Sequence, residues 1–530
     1  MKPNPSFSLP RLIALLLSVL PSTLLGEPPT RHVVVVVWDG MRPDFVSEGA
    51  TPALWKLAHE GVFFRRHHSV YPTATNVNGA VIATGVYPGR SGLLANREYR
   101  RRVNPRGPFE NAAPAAIEAG DETSSGKYLA APTVAEIMRS AGLHAAIAGT
   151  KSVALLHDRH AEWSIALSEK GFAIFAAEPM PRRLRDEMQQ SLGPFRTAPA
   201  DTSADRDAYT TRALTDFLWR DELPAFSLLW LSEPDLTQHE TSPGSEASVA
   251  AIESSDRNLA AVLDALGKKK MRETTDVFVV SDHGFSTIER AIDFPAALRA
   301  AGFDAVNVFQ AEPKAGQIMV VGNAGSILFY IIGHDREIAA RLVAWLQHSD
   351  FAGVIFSREK LEGAFPLETA QLNNPETADV VVALRWNKTA NRFGASGKIA
   401  ADSARPPGDG SHASLSEFDV HNTLIAAGPD FRHGATDDLP TGNIDLAPTI
   451  LRILHVEPPQ KLDGRILSEA MTGKPPDARV SSETIEATRE FPDGQWRQHL
   501  RLSRVGESTY LDEGNGVFSP KQNPPEPPRN

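Results

Sequence analysis

Cysteine is absent from this sequence of 530 residues. Its absence excludes disulfide bonds, a lipid-modified N-terminal cysteine and thiol chemistry. Any inference about export must therefore come from the N-terminal sequence and not from a pattern of cysteines.

An excess of positive charge is also lacking. Lys and Arg number 54 against 65 Asp and Glu, which gives a formal net charge of -11. Proteins that bind nucleic acid usually present a basic face, so we expect no nucleic acid polymer among the partners. The basic cluster from Arg97 to Arg106 is explained better by a solvated loop than by an anion-binding role.

Long hydrophobic runs are lacking except near the N-terminus. Two basic residues precede an apolar run from Leu12 to Leu25, which ends near Gly26. This order is typical of a secretory signal peptide. The run contains Pro21 and is short for a transmembrane helix, although an uncleaved anchor is the alternative. The sequence therefore predicts a signal peptide at 1–26, a secreted or periplasmic protein and no membrane span after cleavage.

Apolar residues make up 42% of the chain, enough for a sizeable core. Five valines and Trp38 precede Asp39, and similar apolar runs recur at 226–231 and 277–280. Continuous apolar runs of this length are typical of strands buried on both faces. Their alternation with helical segments predicts an α/β fold with a mostly parallel central sheet and helices on both faces.

The alternation of strand and helix stops in the second half of the chain. We therefore predict an inserted α+β cap at 291–404, between two stretches of a catalytic core at 31–290 and 405–475. The remainder, 476–530, is a C-terminal extension whose end, from Gly514, is expected to be loose. Stretches with little apolar periodicity are predicted to be surface loops or irregular segments: 105–127 and 178–207.

Polar side chains that can bind metal or act as a nucleophile follow the predicted strands. They are three carboxylates, three imidazoles and one hydroxyl: Asp39, Thr75, Asp235, His239, Asp282, His283 and His412. The carboxyl ends of parallel strands meet at one edge of a sheet, where α/β proteins place their ligands. Carboxylate oxygens and imidazole nitrogens suit zinc, and this number would satisfy two neighbouring ions. Ordinary alternatives are a turn for Asp39, a helix N-cap for Thr75 and a structural role for His412.

Longer motifs around these residues resemble the alkaline phosphatase superfamily, and within it the nucleotide pyrophosphatase/phosphodiesterase branch. The matching pieces are VVVVVWDGMRPD at 33–44, YPTATNVNGAVIATGVYPGRSG at 71–92, GLLANRE at 92–98, EPDLTQH at 233–239, VSDHG at 280–284 and GSHASLSEFDVHNTLIAAGPDF at 410–431. The set in this order is specific, whereas any single piece is not. The resemblance covers most of 31–455 apart from the cap, and it implies an alkaline phosphatase-like core.

The resemblance also implies a site with two Zn²⁺ ions, although other divalent metals are possible. One zinc would be bound by Asp235, His239 and His412. The other would be bound by Asp39, Asp282, His283 and the hydroxyl oxygen of Thr75. Thr75 would be the nucleophile, and Asn96 would contact a phosphoryl oxygen. His421 also lies in a family motif, and we interpret it as a structural residue or as one that supports the ligands without binding metal.

These implications lead us to expect an exported dizinc hydrolase of phosphoric esters. The foremost expectation is a phosphodiesterase that acts on a small-molecule phosphoester through a phosphothreonine intermediate. Sulfatase relatives need a Cys or Ser as the precursor of their nucleophile. That branch is disfavoured because Thr75 stands at the position.

The sequence departs from the nucleotide-cleaving branch in two places. Asn76 follows the nucleophile where such relatives often place an aromatic residue that stacks on a base. The string TNVN is similar to the phosphonoacetate hydrolase branch, and Lys151 lies roughly where that branch binds a substrate carboxylate. A surface lysine is the simpler explanation for Lys151.

Three alternatives therefore stay open beside the phosphodiesterase. They are a hydrolase of the carbon–phosphorus bond, a phosphomonoesterase with the same site, and a metal-holding envelope protein that binds anionic ligands without turnover. A binding protein of that kind would have no need for Thr75.

Overall fold

The strand β1, His32–Trp38, lies near the middle of the fold, between two parallel neighbours. This computed structural model describes Met1 and residues 30–158, 171–174, 182–194, 202–473 and 479–521. Apart from Met1, the predicted signal peptide at 1–26 lies outside the described residues.

The first half of the chain alternates strands and helices, as predicted. Its strands are β1 His32–Trp38, β2 Val62–Phe64, β3 His67–His68, β4 Arg97–Glu98, β5 Phe109–Glu110, β6 Ala145–Gly149, β7 Gly171–Ile174, β8 Phe226–Leu231 and β9 Thr275–Val280. Its helices are α1 Pro52–Glu60, α2 Thr75–Thr84, α3 Pro88–Ser91, α4 Pro114–Ser124, α5 Val134–Ser140, α6 Arg182–Leu192, α7 Ser203–Arg212, α8 Asp235–Thr241 and α9 Glu246–Lys268. A π-helical turn, Ala213–Leu218, continues α7.

The second half is richer in strands. They are β10 Ser286–Ile292, β11 Ala305–Val306, β12 Ile318–Asn323, β13 Ser326–Ile331, β14 Ala352–Ser357, β15 Phe365–Pro366, β16 Val380–Leu384, β17 Trp386–Ala390, β18 Ser396–Asp402, β19 Gly410–Ser411, β20 Leu424–Ala427, β21 Ala435–Asp437, β22 Thr441–Gly442, β23 Val480–Phe491, β24 Gly494–Val505 and β25 Ser508–Pro520. Its helices are α10 Phe294–Ala300, α11 Arg336–Gln347, α12 Glu417–Val420 and α13 Leu446–Ile453.

The central sheet has the strand order β21-β2-β20-β9-β1-β8-β6-β7. The five strands from β9 to β7 run parallel to one another. The strand β20 pairs antiparallel with both of its neighbours. The predicted α/β class with a mostly parallel sheet is confirmed.

Both faces of this sheet are covered by apolar packing, which explains the run of valines in β1. Val33 and Val35 belong to a core shared with Ile450 of α13. Val34 belongs to a second core, shared with Leu259 of α9. Because successive side chains of a strand point to opposite faces, a strand covered on both sides must be apolar at every position.

The predicted cap region contains a sheet of its own, with the order β11-β12-β13-β16-β14-β15. The three C-terminal strands form an antiparallel sheet, β23-β24-β25. This C-terminal sheet contacts the cap sheet, where Gln498 of β24 accepts a hydrogen bond from the Ile355 amide and donates one to its carbonyl. The exact boundaries of core and cap stay a prediction.

Three stretches of the chain differ from the prediction. Residues 105–127 include the helix α4, whose buried face consists of Ile117 and two small residues that give a weak apolar period. Residues 178–207 include the helix α6 and the start of α7. The end of the C-terminal extension was expected to be loose from Gly514, but the strand β25 continues to Pro520. Residues 522–530 lie outside the described residues.

The length and apolar content of the helices also bear on membrane insertion. Among the described residues, none of the helices has the length and apolar content that crossing a membrane would require.

Candidate metal centre

Parallel strands bring three carboxylates to one edge of the central sheet. Asp39 directly follows β1, Asp282 follows β9 after one serine, and Asp235 is the first residue of α8, which follows β8. Because these strands are adjacent and parallel, their carboxyl ends coincide. All three carboxylates are buried.

The three residues Asp235, His239 and His412 form one candidate group of metal ligands. The Oδ1 atom of Asp235 lies 3.3 Å from Nε2 of His239 and 3.6 Å from Nε2 of His412. Asp235 and His239 are one helical turn apart on α8, so the helix directs both side chains to the same place.

A second candidate group consists of Asp39, Asp282 and His283. The Nε2 atom of His283 lies 3.3 Å from Oδ2 of Asp282 and 3.6 Å from Oδ1 of Asp39. The two groups adjoin, because the His283 and His412 rings stack with their centroids 3.6 Å apart.

The hydroxyl of Thr75 lies beside the second group, with Oγ1 3.1 Å from Nε2 of His283. Thr75 is the first residue of α2. The positive end of the helix dipole therefore points toward the region where an anionic group would approach this hydroxyl.

Backbone carbonyls fix the orientation of all three imidazoles. The Nδ1 atoms of His239, His283 and His412 lie 3.0, 2.9 and 2.8 Å from the carbonyl oxygens of Gly410, Gly284 and Thr73, respectively. A carbonyl oxygen only accepts, so each Nδ1 carries the proton and each Nε2 keeps its lone pair. This is the tautomer that a metal-binding histidine needs.

Hydrogen bonds also orient the carboxylates, and each of them uses only one of its two oxygens as an acceptor. Oδ2 of Asp39 accepts a hydrogen bond from the Trp230 indole at 2.8 Å, and Oδ1 of Asp282 accepts one from the Gly40 amide at 3.0 Å. Three carboxylate oxygens are buried and have no hydrogen-bond partner among the described residues: Oδ1 of Asp39, Oδ2 of Asp282 and Oδ1 of Asp235.

A buried polar atom without a hydrogen-bond partner costs free energy. These three oxygens are also the ones that lie beside the imidazoles, so a metal ion would offset this cost. The donor set therefore could hold a metal ion, and its carboxylates and imidazoles form two adjoining candidate groups.

Gly40 is required where it stands. Its φ of +72° lies in the left-handed region. A Cβ atom built on it would come within 2.9 Å of Phe285 and 3.1 Å of Asp235. A side chain here would therefore displace a candidate ligand.

The ammonium of Lys151 lies between the two groups, 2.7 Å from Oδ2 of Asp235 and 2.9 Å from Oδ2 of Asp39. Lys151 follows β6, the strand next to β8. The explanation as a surface lysine is therefore wrong for this structure, because only 21% of the side chain is exposed.

The electrostatics of the centre are those of crowded, buried charges. Burial and the neighbouring Asp282 raise the pKa of Asp39 well above its ordinary value. Burial also opposes the ionisation of Asp235, but Lys151 and His239 hold the pKa of that carboxyl well below its ordinary value. Burial and the adjacent His283 lower the pKa of His412, which keeps it neutral.

Burial opposes the charge of Lys151, but Asp235 and Asp39 raise its pKa above the ordinary value. The centre thus gathers negative charge that cations would neutralise, and Lys151 supplies only one positive charge.

Asn96 lies next to the start of α2, where its Oδ1 atom accepts the amide hydrogen of Asn76 at 2.7 Å. This bond orients the side-chain amide so that Nδ2, which donates to none of the described residues, is available. The Asn76 side chain donates to Glu110, whose pKa is raised by burial.

A cleft of about 320 Å³ reaches the first ligand group, because His239 and His412 are part of its lining. Its charged and polar lining includes Asn96, Arg97, Glu110, His239, Asn323, Asp402, Arg405 and His412. The described residues that line it include no Phe, Tyr or Trp. Arg97, which belongs to the basic cluster, therefore lines the cleft and does not lie in a loop far from it.

Several contacting residues were not among the predicted site residues. Trp230 donates a hydrogen bond to Asp39, and Glu110 accepts one from Asn76. Asp207 of α7 accepts hydrogen bonds from the amides of Ser232 and Glu233, just before α8. A strand tryptophan is usually core, and the sequence offers no periodic signal that marks the other two.

His421 belongs to neither of these two groups. Its ring centroid is 4.5 Å from that of His68, on β3.

Comparison with known proteins adds a family relationship to this geometry. The profile of the family described as type I phosphodiesterase/nucleotide pyrophosphatase matches residues 33–393. A bovine ectonucleotide pyrophosphatase/phosphodiesterase family member 3 is 20% identical over 441 residues, covering 80% of this chain and 42% of the relative. Human family member 1 is 24% identical over 263 residues, covering 48% of this chain and 23% of the relative. A bis(5'-adenosyl)-triphosphatase of Xenopus laevis is 21% identical over 282 residues, 49% of each.

The chain thus spans less than half the length of these curated relatives. Among solved structures, murine ectonucleotide pyrophosphatase/phosphodiesterase 5, as an inactive variant in complex with AMP, has a TM-score of 0.59 at 16% identity. The match covers 83% of this chain and 100% of that one. The human counterpart has the same TM-score and identity, with 84% of this chain covered. These likenesses support the alkaline phosphatase-like fold.

Proposed function

The chain belongs to the type I phosphodiesterase/nucleotide pyrophosphatase family, and from this premise we propose that it is a metal-dependent phosphodiesterase with Thr75 as its nucleophile. The observation that carries the proposal is the convergence of three unpartnered carboxylate oxygens and three imidazoles beside the Thr75 hydroxyl.

Two cations would be held by the two ligand groups. Asp235, His239 and His412 would hold one, and Asp39, Asp282, His283 and the Thr75 oxygen would hold the other. Nitrogen and oxygen donors of this kind favour Zn²⁺ while accepting other divalent ions. When bound, such ions supply positive charge at the phosphoryl group and favour an ionised hydroxyl.

The chain's own residues perform the displacement. Oγ1 of Thr75 attacks phosphorus, and the bond from phosphorus to the leaving alcohol breaks as the new bond forms, which gives a phosphothreonine. Hydrolysis of this ester by water releases a phosphomonoester and restores the hydroxyl. The Nδ2 group of Asn96 and the N-terminus of α2 stabilise negative charge on the other phosphoryl oxygens.

The cleft argues for a small, polar substrate. Its described lining offers charged and hydrogen-bonding groups and no aromatic ring on which a base could stack. Asn76 is 4% exposed and engaged with Glu110, and it offers no stacking surface either. We therefore expect a small polar diester to be a better substrate than a nucleotide.

Lys151 is proposed to contact the substrate. Its ammonium lies between the two ligand groups, so it can pair with a phosphoryl or carboxylate oxygen brought to the centre. A carboxylate-bearing phosphonate, cleaved at its carbon–phosphorus bond, is the second candidate substrate that this position favours.

Export is part of the proposal and rests on the N-terminal sequence. The names of two relatives, the bovine and human enzymes, describe them as ecto-enzymes. A secreted or periplasmic location is consistent with that description.

A substrate panel tests the proposed activity. We expect a small polar diester, an aryl phosphate with a short hydroxyalkyl group, to be cleaved faster than a nucleotide diester. We expect a bis-aryl phosphate to be cleaved faster than an aryl monophosphate, an aryl phosphonate or phosphonoacetate. Chelation should abolish the activity and Zn²⁺ should restore it. A monoester turned over fastest would contradict the diesterase, and fastest release of phosphate from phosphonoacetate would select the second candidate. Activity that survives complete chelation would contradict the metal dependence.

A further inference from the structure

A third group of metal-binding side chains lies outside the candidate centre. It consists of His68 on β3, His421 directly after α12, and Asp512 on β25, with one ligand atom of each within 4.8 Å of the others. His68 and Asp512 are buried, and His421 is partly buried. The group lies where the C-terminal sheet contacts the core.

His68 is oriented in the same way as the histidines of the candidate centre. Its Nδ1 atom lies 2.8 Å from the Thr441 carbonyl oxygen, which can only accept. Nδ1 therefore carries a proton, and Nε2 faces Oδ1 of Asp512 at 2.9 Å. A histidine fixed by a backbone carbonyl on one nitrogen, with a carboxylate beside the other, is poised to bind a metal.

His421 provides the observation that points to a ligand. Its Nδ1 atom is buried and has no hydrogen-bond partner of good geometry in the described part of the chain. Its ring stands 4.5 Å from the His68 ring, at an interplanar angle of 54°. The hydrogen bond between His68 and Asp512 does not involve the His421 ring, whereas an ion shared by all three residues would be bound by one of its two nitrogens.

We propose that His68, His421 and Asp512 form a third divalent-cation site, of the zinc type, which ties the C-terminal sheet to the core. Two imidazoles and one carboxylate are a ligand set that zinc accepts, and a fourth position would be left for water. Zinc bonds of about 2.0–2.1 Å in a tetrahedron separate ligand atoms by roughly 3.3 Å. The 2.9 Å between His68 and Asp512 lies somewhat below that separation.

Arg66 is the positive group that a cation would have to tolerate. Its guanidinium lies 3.5 Å from Oδ1 of Asp512 and donates to the Ser503 hydroxyl at 2.8 Å. The side chain is 38% exposed, so it can turn toward solvent. Oδ2 of Asp512 accepts a hydrogen bond from the same Ser503 hydroxyl at 2.7 Å, which holds the carboxylate in place.

The test compares the metal content of the full-length wild type with that of Asp512→Asn. Both proteins are equilibrated with Zn²⁺, freed of excess metal and measured by inductively coupled plasma mass spectrometry. We expect the variant to hold one equivalent less than the wild type while its phosphodiesterase activity stays within about twofold. Equal metal content in the two proteins would overturn the proposal.

Glu513→Gln is the matched control, because it removes the neighbouring carboxylate, which pairs with His499 and Arg501. This variant should keep the full metal content. A loss of one equivalent in Glu513→Gln as well would show that the effect is general, and it would also count against the site.

Arg66→Ala keeps the proposal testable if Asp512→Asn fails to fold. Removing a positive charge beside the site should tighten its zinc affinity several-fold, measured by equilibrium dialysis with Zn²⁺. An Arg66→Ala protein in which none of the zinc affinities rises would contradict a cation beside Asp512. Failure of the catalytic proposal would be distinguishable from failure of this site. The wild type would then show no phosphodiesterase activity, but it would still hold one equivalent of metal more than Asp512→Asn.

Discussion

The Nζ atom of Lys151 lies 2.7 Å from the Oδ2 atom of Asp235, inside the group of carboxylates that would hold metal ions. The same ammonium is 2.9 Å from Asp39, so one lysine bridges a ligand of each group. A positive charge at this place repels cations and attracts anionic substrate, and these two effects can be measured separately.

Lys151→Met should therefore change metal and substrate binding in opposite directions. Methionine keeps a long, unbranched side chain and removes the charge. Because a unit charge a few ångströms away contributes a few kcal/mol at an effective dielectric constant near 20, we expect zinc affinity to rise by about tenfold or more. We expect KM for an anionic substrate to rise as well. Zinc titration and steady-state kinetics check the two effects, and a variant with weaker zinc binding and unchanged KM would contradict both roles.

Trp230→Phe should weaken the centre without altering any proposed ligand. The indole of Trp230 donates to Oδ2 of Asp39 at 2.8 Å, and phenylalanine cannot. Loss of a hydrogen bond that orients a metal ligand typically costs about 10–100-fold in metal affinity or activity. Zinc affinity and kcat/KM are the measurements.

Trp219→Phe is the matched control for this variant. Its indole donates to the Ser227 hydroxyl at 2.9 Å, and Ser227 is not among the proposed ligands. If both tryptophan variants lose the same activity, the loss reflects packing and not the bond to Asp39.

Asp276→Asn should remove a pH dependence of stability. Burial raises the pKa of Asp276 from 3.8 to about 7 in the folded protein. The unfolded chain therefore loses this proton first, and the free energy of unfolding falls as pH rises from about 4 to about 7. The total loss should be on the order of 2–4 kcal/mol.

The neutral asparagine mimics the protonated acid, so the variant should be more stable than the wild type at pH 8 and similar at pH 4. Urea unfolding at the two pH values measures the difference. Asp264→Asn, which alters an exposed pair with Lys268, should leave the pH slope unchanged. If the free energy of unfolding of Asp276→Asn falls with pH as steeply as that of the wild type, Asp276 is not the source of this pH dependence.

The central sheet could be predicted because burial on both faces leaves a direct trace in the sequence. A run of valines that ends in Asp39 can hardly be anything other than an inner strand with a polar residue at its carboxyl end. The same reasoning places Asp282 and Asp235 at that edge, because all parallel strands of one sheet have their carboxyl ends there, whatever their order. The positions of these side chains followed from local pattern and sheet topology.

The role of Lys151 could not be predicted in this way. Its contact with Asp39 and Asp235 depends on β6 lying beside β8, and strand order is not encoded in the local pattern of any one strand. The same holds for Trp230, whose indole is recognisable as a partner of Asp39 only once β1 and β8 are paired. The site of His68, His421 and Asp512 joins three distant parts of the chain for the same reason.

The C-terminal sheet was missed for a different reason. Alternating burial in β24, where Trp496, Gln498 and Leu500 face inward, is visible in the sequence as a period of two. The many polar and charged residues between them obscured it. The end of the chain was expected to be loose because it is polar and rich in proline. In the structure, Gly514 and Gly516 are needed where β25 passes close to Val354 and Gly353 of the cap.

Thr75→Ala, measured for turnover and zinc content together, tests the central claim most directly. Thr75→Ser, which keeps a hydroxyl at the start of α2, is its matched control and should retain measurable activity. The account predicts that Thr75→Ala loses turnover of a bis-aryl phosphate while binding as much zinc at the candidate centre as the wild type, because six carboxylate and imidazole ligands remain. Turnover at the wild-type rate in Thr75→Ala would contradict it.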